Sequence, residues 1–305
     1  MRDYTAYGLQ IASELPLPEL LPSAAAAPDV HIRYGAVPAE LDNPVGQGVI
    51  YQARPGQLLL TLTGIANFLV SEGNAITVEP ASKSREEDIR LFLLGSSFGA
   101  LLHQRGVLPL HGSAIETQYG AVVFVAHSGV GKSTLAAAFH QRGYRVLSDD
   151  ICVITMDTGK PVAHPSFPRL HLWEDVLDRL DQALPRLLVR AKLEKYGVPL
   201  EAQFAVQSSP LYAVYELAVD TTPCVTVQPL AYMEKFEALI NHTYRGQFVR
   251  GLGLRQRHFA QAATVANPVK MSRVTRPQKL FLLQELVQAV ESDFEVAAME
   301  NVTCG

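Results

Sequence analysis

Residues 127–134 read His-Ser-Gly-Val-Gly-Lys-Ser-Thr, a set of residue types able to hold a polyphosphate. Gly129 and Gly131 permit backbone dihedrals closed to residues with a Cβ, so successive N–H groups, including those of Ser128 and Val130, can turn inward around an anion. If a helix begins at Lys132, its first unpaired N–H groups, Ser133 and Thr134 among them, add the positive end of the helix dipole. Lys132 then supplies a full charge to β- and γ-phosphates, and the Ser133 hydroxyl is placed to ligate Mg²⁺. The usual first glycine of such a loop is Ala126 here, tolerable where the chain is still extended.

The flanking sequence supplies the elements that this chemistry needs. Residues 121–126 are a continuous apolar run of strand length, 132–142 follow a helical pattern ended by Gly143, and 144–147 return as a strand closing on Asp149 and Asp150. Strand, glycine-rich loop, helix and strand make one β-α-β unit. In a parallel sheet the carboxyl ends of neighbouring strands share an edge, which predicts the aspartates beside the loop. One can hold Mg²⁺ and the other can take a proton from an attacking hydroxyl. Adjacent strand residues face opposite ways, so the two share a task only if the chain turns there. His111, at the head of the strand before 121–126, is a further candidate.

The rest of the chain sets bounds. At 305 residues there is room for two domains, and 48% hydrophobic with 18% charged residues is an ordinary globular composition. A net charge of −4 gives no broad basic field, which argues against nucleic acid as a partner. Cys152, Cys224 and Cys304 lack metal-site spacing and form no even framework, so a reducing cytoplasm is expected. No signal-peptide core or uncharged stretch long enough for a bilayer stands out, so no membrane partner is expected. Short strands at 6–11, 29–34, 48–53, 58–62, 67–71 and 75–78 predict a β-rich N-terminal domain over 1–84. A helix over 85–105 then opens a second domain, 85–305, with helices at 173–188, 231–242, 256–265 and 278–290 and strands at 212–219, 225–229 and 269–274. The fold class expected is α/β, a nucleotide-binding domain behind a β-rich one.

His111-Gly112-Ser113-Ala114, the loop 127–134 and Arg145-Val146-Leu147-Ser148-Asp149-Asp150, in this order, resemble the core of the HPr kinase/phosphorylase family. The whole layout is similar to its shorter relatives, the lasso-peptide precursor kinases, through Ser13-Glu14-Leu15-Pro16-Leu17-Pro18 and Phe167-Pro168-Arg169-Leu170-His171-Leu172-Trp173. The resemblance implies an HPr-kinase-like P-loop fold and an ATP- and Mg²⁺-dependent transfer to a serine on a peptide or small protein. It implies Asp149 as general base, Asp150 supporting the metal and His111 lining the site. Segment 249–254, Val-Arg-Gly-Leu-Gly-Leu, mimics a family signature but lies too far along the chain and lacks its Glu, which argues against the reverse reaction. A second cation should converge on Lys132, and Arg169, Lys195 and Arg245 are the candidates near segments of that branch. Two other readings stay open, a nucleotide-gated regulator without transfer and a small-molecule kinase. The sequence leaves open whether the chain forms homo-oligomers.

Overall fold

Ala66, Phe68 and Val70, like Ile76 and Val78 on the next strand, are buried while the residues between them are half-exposed. That alternation is the mark of a sheet covered on one face. In the computed structural model, which describes residues 1–24, 27–173, 187–190, 195–200, 203–278 and 282–303, it belongs to a nine-stranded sheet. The strands are β1 (Arg2–Ala6), β2 (Leu9–Ser13), β3 (Leu21–Pro22), β4 (Val30–Tyr34), β5 (Gly46–Gly48), β6 (Tyr51–Arg54), β7 (Gln57–Leu62), β8 (Ala66–Ser71) and β9 (Ala75–Pro80), in the order β3-β1-β2-β4-β9-β8-β7-β6-β5. Where one strand was expected over 6–11, Tyr7 and Gly8 take φ of 58° and 75° and fold β1 back on β2. Glycine explains one of those left-handed residues, but nothing in the sequence announces the other.

The helical stretch expected over 85–105 forms as α1 (Glu86–Phe92), a π-helical turn (Leu93–Ser97) and α2 (Phe98–Arg105), closed by Gly106 at φ 72°. Its apolar residues Ile89, Leu93, Phe98, Leu101 and Leu102 are buried, and the segment packs on β8. Contacts accordingly group it with the N-terminal sheet: one compact unit is Met1–Pro109 with Thr243–Ala262, the other Leu110–His242 with Ala263–Gly305. The division thus falls after this helix rather than before it.

The second unit holds β10 (Leu108–Thr117, from Leu110 on), β11 (Gly120–Val125), α3 (Lys132–Gln141), β12 (Arg145–Asp157) and β13 (Lys160–His164). A small sheet of β14 (Arg169–Trp173), β15 (Leu187–Arg190) and β16 (Lys195–Pro199) follows, in the order β14-β16-β15. Then come β17 (Ser209–Asp220), β18 (Thr226–Pro229), α4 (Tyr232–Asn241), β19 (Lys270–Pro277) and α7 (Leu283–Thr303), while α5 (Gln247–Gly251) lies in the first unit and α6 (Arg255–Ala266) runs across the division. The larger sheet has the order β11-β10-β12-β13-β17-β19-β18, and a further β11–β17 pairing closes its first five strands into a circuit, with β19 and β18 continuing from β17. Every residue of β11 is buried, as its apolar run requires. The chemistry-bearing strands are therefore not side by side: β10 stands between β11 and β12, and the parallel neighbour of β11 is β17.

Two segments differ from expectation. The helix expected over 173–188 lies largely outside the described residues, but Trp173 ends β14 and residues 187–190 are β15. The last helix begins at Leu283 rather than at 278, after Pro277 closes β19. Among the described residues no helix is long and apolar enough to cross a membrane.

Candidate active site

The buried strand β11 delivers the chain to a turn whose shape follows from its glycines. Gly129 has φ 84° and Gly131, the residue that caps α3, has φ 117°. No side chain caps the helix, so its first N–H groups are presented by the backbone alone. Among the described residues, a Cβ placed on either glycine would meet nothing within 4 Å. His127, Ser128 and Gly129 are exposed and Val130 and Ser133 half-buried, while Thr134 is buried. Ala126 needs no positive φ, which is why alanine serves there.

Lys132 is 7% exposed, and its Nζ donates to Ala126 O at 3.0 Å and His127 O at 3.3 Å. Burying an ammonium is costly unless it is well solvated by dipoles. The loop carbonyls supply that solvation, and they hold the charge at the foot of the turn.

Asp149 reaches the same place from β12. Its side chain is fully buried. Oδ1 accepts from Ser113 Oγ at 2.6 Å and Ser133 Oγ at 2.8 Å, and Oδ2 accepts from the His171 N–H at 2.7 Å with His171 Nδ1 at 3.3 Å. A buried carboxylate survives only when donors surround it, and these donors come from β10, α3 and β14. Asp150 differs in every respect: its φ is 69°, and its carboxylate, 31% exposed, lies 3.6 Å from His111 Nδ1. The same ring nitrogen is 3.2 Å from the Asp150 carbonyl. The left-handed residue is the turn that two adjacent aspartates need if both are to serve one site, and such strain gathers at functional sites.

Behind the loop lies a second polar group. Glu216 stands opposite Val125 across the β11–β17 pair, and its carboxylate holds His242 Nε2 at 3.0 Å and Arg273 Nε at 2.8 Å. The His242 hydrogen bond first, then Arg273, hold the Glu216 carboxyl below the ordinary carboxylate range despite its burial. The His127 ring in the loop packs edge-on to His242, centroids 5.1 Å apart. On the other side, burial pushes the Cys152 thiol up to about 12, so it stays protonated at neutral pH.

No family model matches this chain, and no curated protein does. Among solved structures, the HPr(Ser) kinase/phosphatase from Coxiella burnetii aligns with 63% of this chain and 98% of its own, at 11% identity and a TM-score of 0.34. The chemistry has to stand on this chain's own residues.

Of the residues singled out from the sequence, Lys132 bonds to the loop carbonyls, Ser133 bonds to Asp149, and His111 meets Asp150, the residue after Asp149. The three cations expected to converge on Lys132 lie as follows. Arg169 opens β14, its N–H bonded to Phe167 O at 2.7 Å. Lys195 opens β16, and its side chain is outside the described residues. Arg245 belongs to the other compact unit, its guanidinium 5.5 Å from the Tyr244 ring centroid. Segment 249–254 also lies in that unit, where Gly251 answers to packing: a Cβ there would meet Ala53 Cβ at 2.7 Å.

Sequence reading missed four contributors. Ser113 and His171 sit inside two of the segments that carried the resemblance, so their positions were in view without their partners. Glu216 and Arg276 carry no local signal. Arg276 Nη2 donates to Val130 O at 3.4 Å, a contact made by tertiary folding alone.

Proposed function

We propose that this protein is a kinase that moves the γ-phosphate of ATP to a serine hydroxyl of a peptide or small protein, with Mg²⁺. One observation carries the reading: a glycine turn, clear of other described residues around its glycines, has at its foot a buried lysine and a serine hydroxyl bonded to a fully buried aspartate. Ser133 and Asp149, both oxygen donors, would hold a hard divalent cation beside the phosphates. When bound, Mg²⁺ neutralises charge on the phosphates.

The loop N–H groups and Lys132 bind the triphosphate and orient its terminal group. Asp149 fixes the Ser133 hydroxyl for the metal. Asp150, accessible and beside His111, takes the proton from the acceptor hydroxyl while that oxygen bonds to phosphorus and the bond to the departing ADP breaks. The family resemblance assigns the two aspartates the other way round; the burial of Asp149 and the exposure of Asp150 favour this order. The acceptor class we propose from the resemblance is a ribosomally made precursor peptide bearing a terminal serine.

The test is transfer of labelled γ-phosphate from ATP with Mg²⁺ to serine peptides, with Asp150→Asn alongside. We expect transfer in the wild type and its loss in the variant, with ATP affinity kept. Transfer undiminished by Asp150→Asn would refute the order of roles, and a wild type that neither binds nor turns over ATP would refute the kinase reading.

A further inference from the structure

Phosphoryl transfer spreads negative charge over the moving group and builds it on the oxygen of the leaving diphosphate, which a second cation can stabilise. Strand directions limit which cations can serve. β19 runs parallel to β17, and β17 parallel to β11, so all three bring their carboxyl ends to the edge where the loop 126–131 begins. Across these strands Val125 faces Glu216 and Glu216 faces Arg273. Arg276 stands three positions further on, past the point where β11 has ended, and so at the level of the loop.

The two arginines of β19 are differently committed. Arg273 is held by Glu216 at 2.8 Å and lies 3.6 Å from Glu234. Arg276 makes no ion pair with any described carboxylate. Its guanidinium gives one hydrogen bond to the loop at Val130 O, 3.4 Å, and one to the carbonyl of Pro277, 3.3 Å. A guanidinium carries five N–H donors in a planar fork matched to phosphate oxygens, so donors remain for an anion beside Val130.

We propose that Arg276 is a catalytic residue, the second cation on the phosphate tail of a nucleoside triphosphate held by this loop. The inference rests on the kinase reading above. As the bond between γ-phosphorus and the β–γ bridging oxygen breaks and the acceptor oxygen bonds to phosphorus, Arg276 donates to the charge left on the diphosphate. The acceptor's proton leaves to the carboxylate.

The experiment compares ATP and AMP binding by calorimetry, and transfer rates, in wild type, Arg276→Ala, Arg276→Lys and Arg273→Gln. With Arg276→Ala we expect ATP affinity to fall on the order of 10- to 100-fold, the loss of a charged hydrogen-bonded contact. AMP affinity should stay unchanged, and turnover should fall roughly 100-fold or more. Arg276→Lys should restore part of both, and Arg273→Gln should leave the ratio of ATP to AMP affinity as in the wild type. Equal losses for ATP and AMP would overturn the proposal, since Arg276 would then only brace the loop; so would unchanged ATP affinity and turnover. Should the alanine variant not fold, Arg276→Gln, with the same reach and no charge, answers by the same ratio. A wild type that binds ATP no better than AMP would instead overturn the kinase reading itself, so the two failures are distinct.

Discussion

Ser113 and Ser97 are both wholly buried serines, and they differ in one respect. The Ser113 hydroxyl donates at 2.6 Å to the buried Asp149 carboxylate, whereas Ser97 Oγ, in the π-helical turn, has no hydrogen-bond partner among the described residues. Replacing either by alanine deletes the same atom. For Ser113→Ala the loss is one hydrogen bond to a charge, about 1.5–3 kcal/mol, while the Ser133 hydroxyl still donates to Asp149 Oδ1. In a compact unit of this size about 2 kcal/mol moves the melting temperature by roughly 4–8 °C. For Ser97→Ala the deleted hydroxyl is an unsatisfied polar group, so the variant should be unchanged or gain about 1 kcal/mol. The chain has a single tryptophan, Trp173, at the end of β14 in the unit that contains Ser113, so its fluorescence in a denaturant series reads that unit. Hydrogen exchange over Phe98–Arg105 reads the other. Equal shifts for the two variants, or a Ser113→Ala cost below about 0.5 kcal/mol, would refute the reasoning that Asp149 depends on its ring of donors.

Gly131→Ala places a Cβ at φ 117° but against no described neighbour, so it should cost only the left-handed strain, roughly 1–2 kcal/mol, while ATP affinity measured by titration falls more than about tenfold; an affinity that survives would remove the loop from the phosphate site. Lys132→Met should abolish ATP binding and also lower stability in urea by about 1–3 kcal/mol, because the Ala126 and His127 carbonyls each lose the Lys132 donor. Burial, opposed by the Tyr244 carbonyl, lowers His103 to about 4, so protons bind the unfolded chain first as pH falls below the ordinary histidine value, and stability drops by about 2 kcal/mol from pH 7 to pH 5. His103→Gln should flatten that slope in urea midpoints, and an unchanged slope would contradict the assignment. Glu216, whose folded pKa is lowered, adds stability that is present above the ordinary carboxylate pKa and lost as pH falls through the lowered value; Glu216→Gln should erase that acid-side loss in thermal melts.

The parts of the site that were legible in the sequence are those where each residue type has a local physical meaning. Gly129 and Gly131 had to permit left-handed backbone, the apolar run before them had to be buried, and the pattern after them had to be helical. What a residue touches across the sheet has no such local signature. Ser113 and His171 could be named within their segments, but only the fold brings β10 and β14 to the Asp149 carboxylate. Tyr7 in a left-handed turn broke a strand reading that its own side chain favours, and the helical pattern at 173–188 gave way to strands at both described ends because β-pairing with β16 outweighed local propensity.

Strand order shows that Asp149 meets Ser133 by a route other than the one the sequence suggests. The sequence argument put β12 beside β11, so that neighbouring carboxyl ends would meet; in the structure β10 intervenes and β17 is the parallel neighbour. Asp149 still reaches Ser133 because β10 brings a donor of its own, Ser113, to the same carboxylate, so the intervening strand takes part in the site instead of separating its halves. The parallel trio β11, β17 and β19 then delivers Glu216 and Arg276 from the far side. The site is thus closed from two directions, acidic and hydroxyl groups from β10 and β12, the further arginine from β19. A substitution that shifts the β17–β19 register by two residues should therefore displace Arg276 from the loop while leaving the Asp149–Ser133 bond intact.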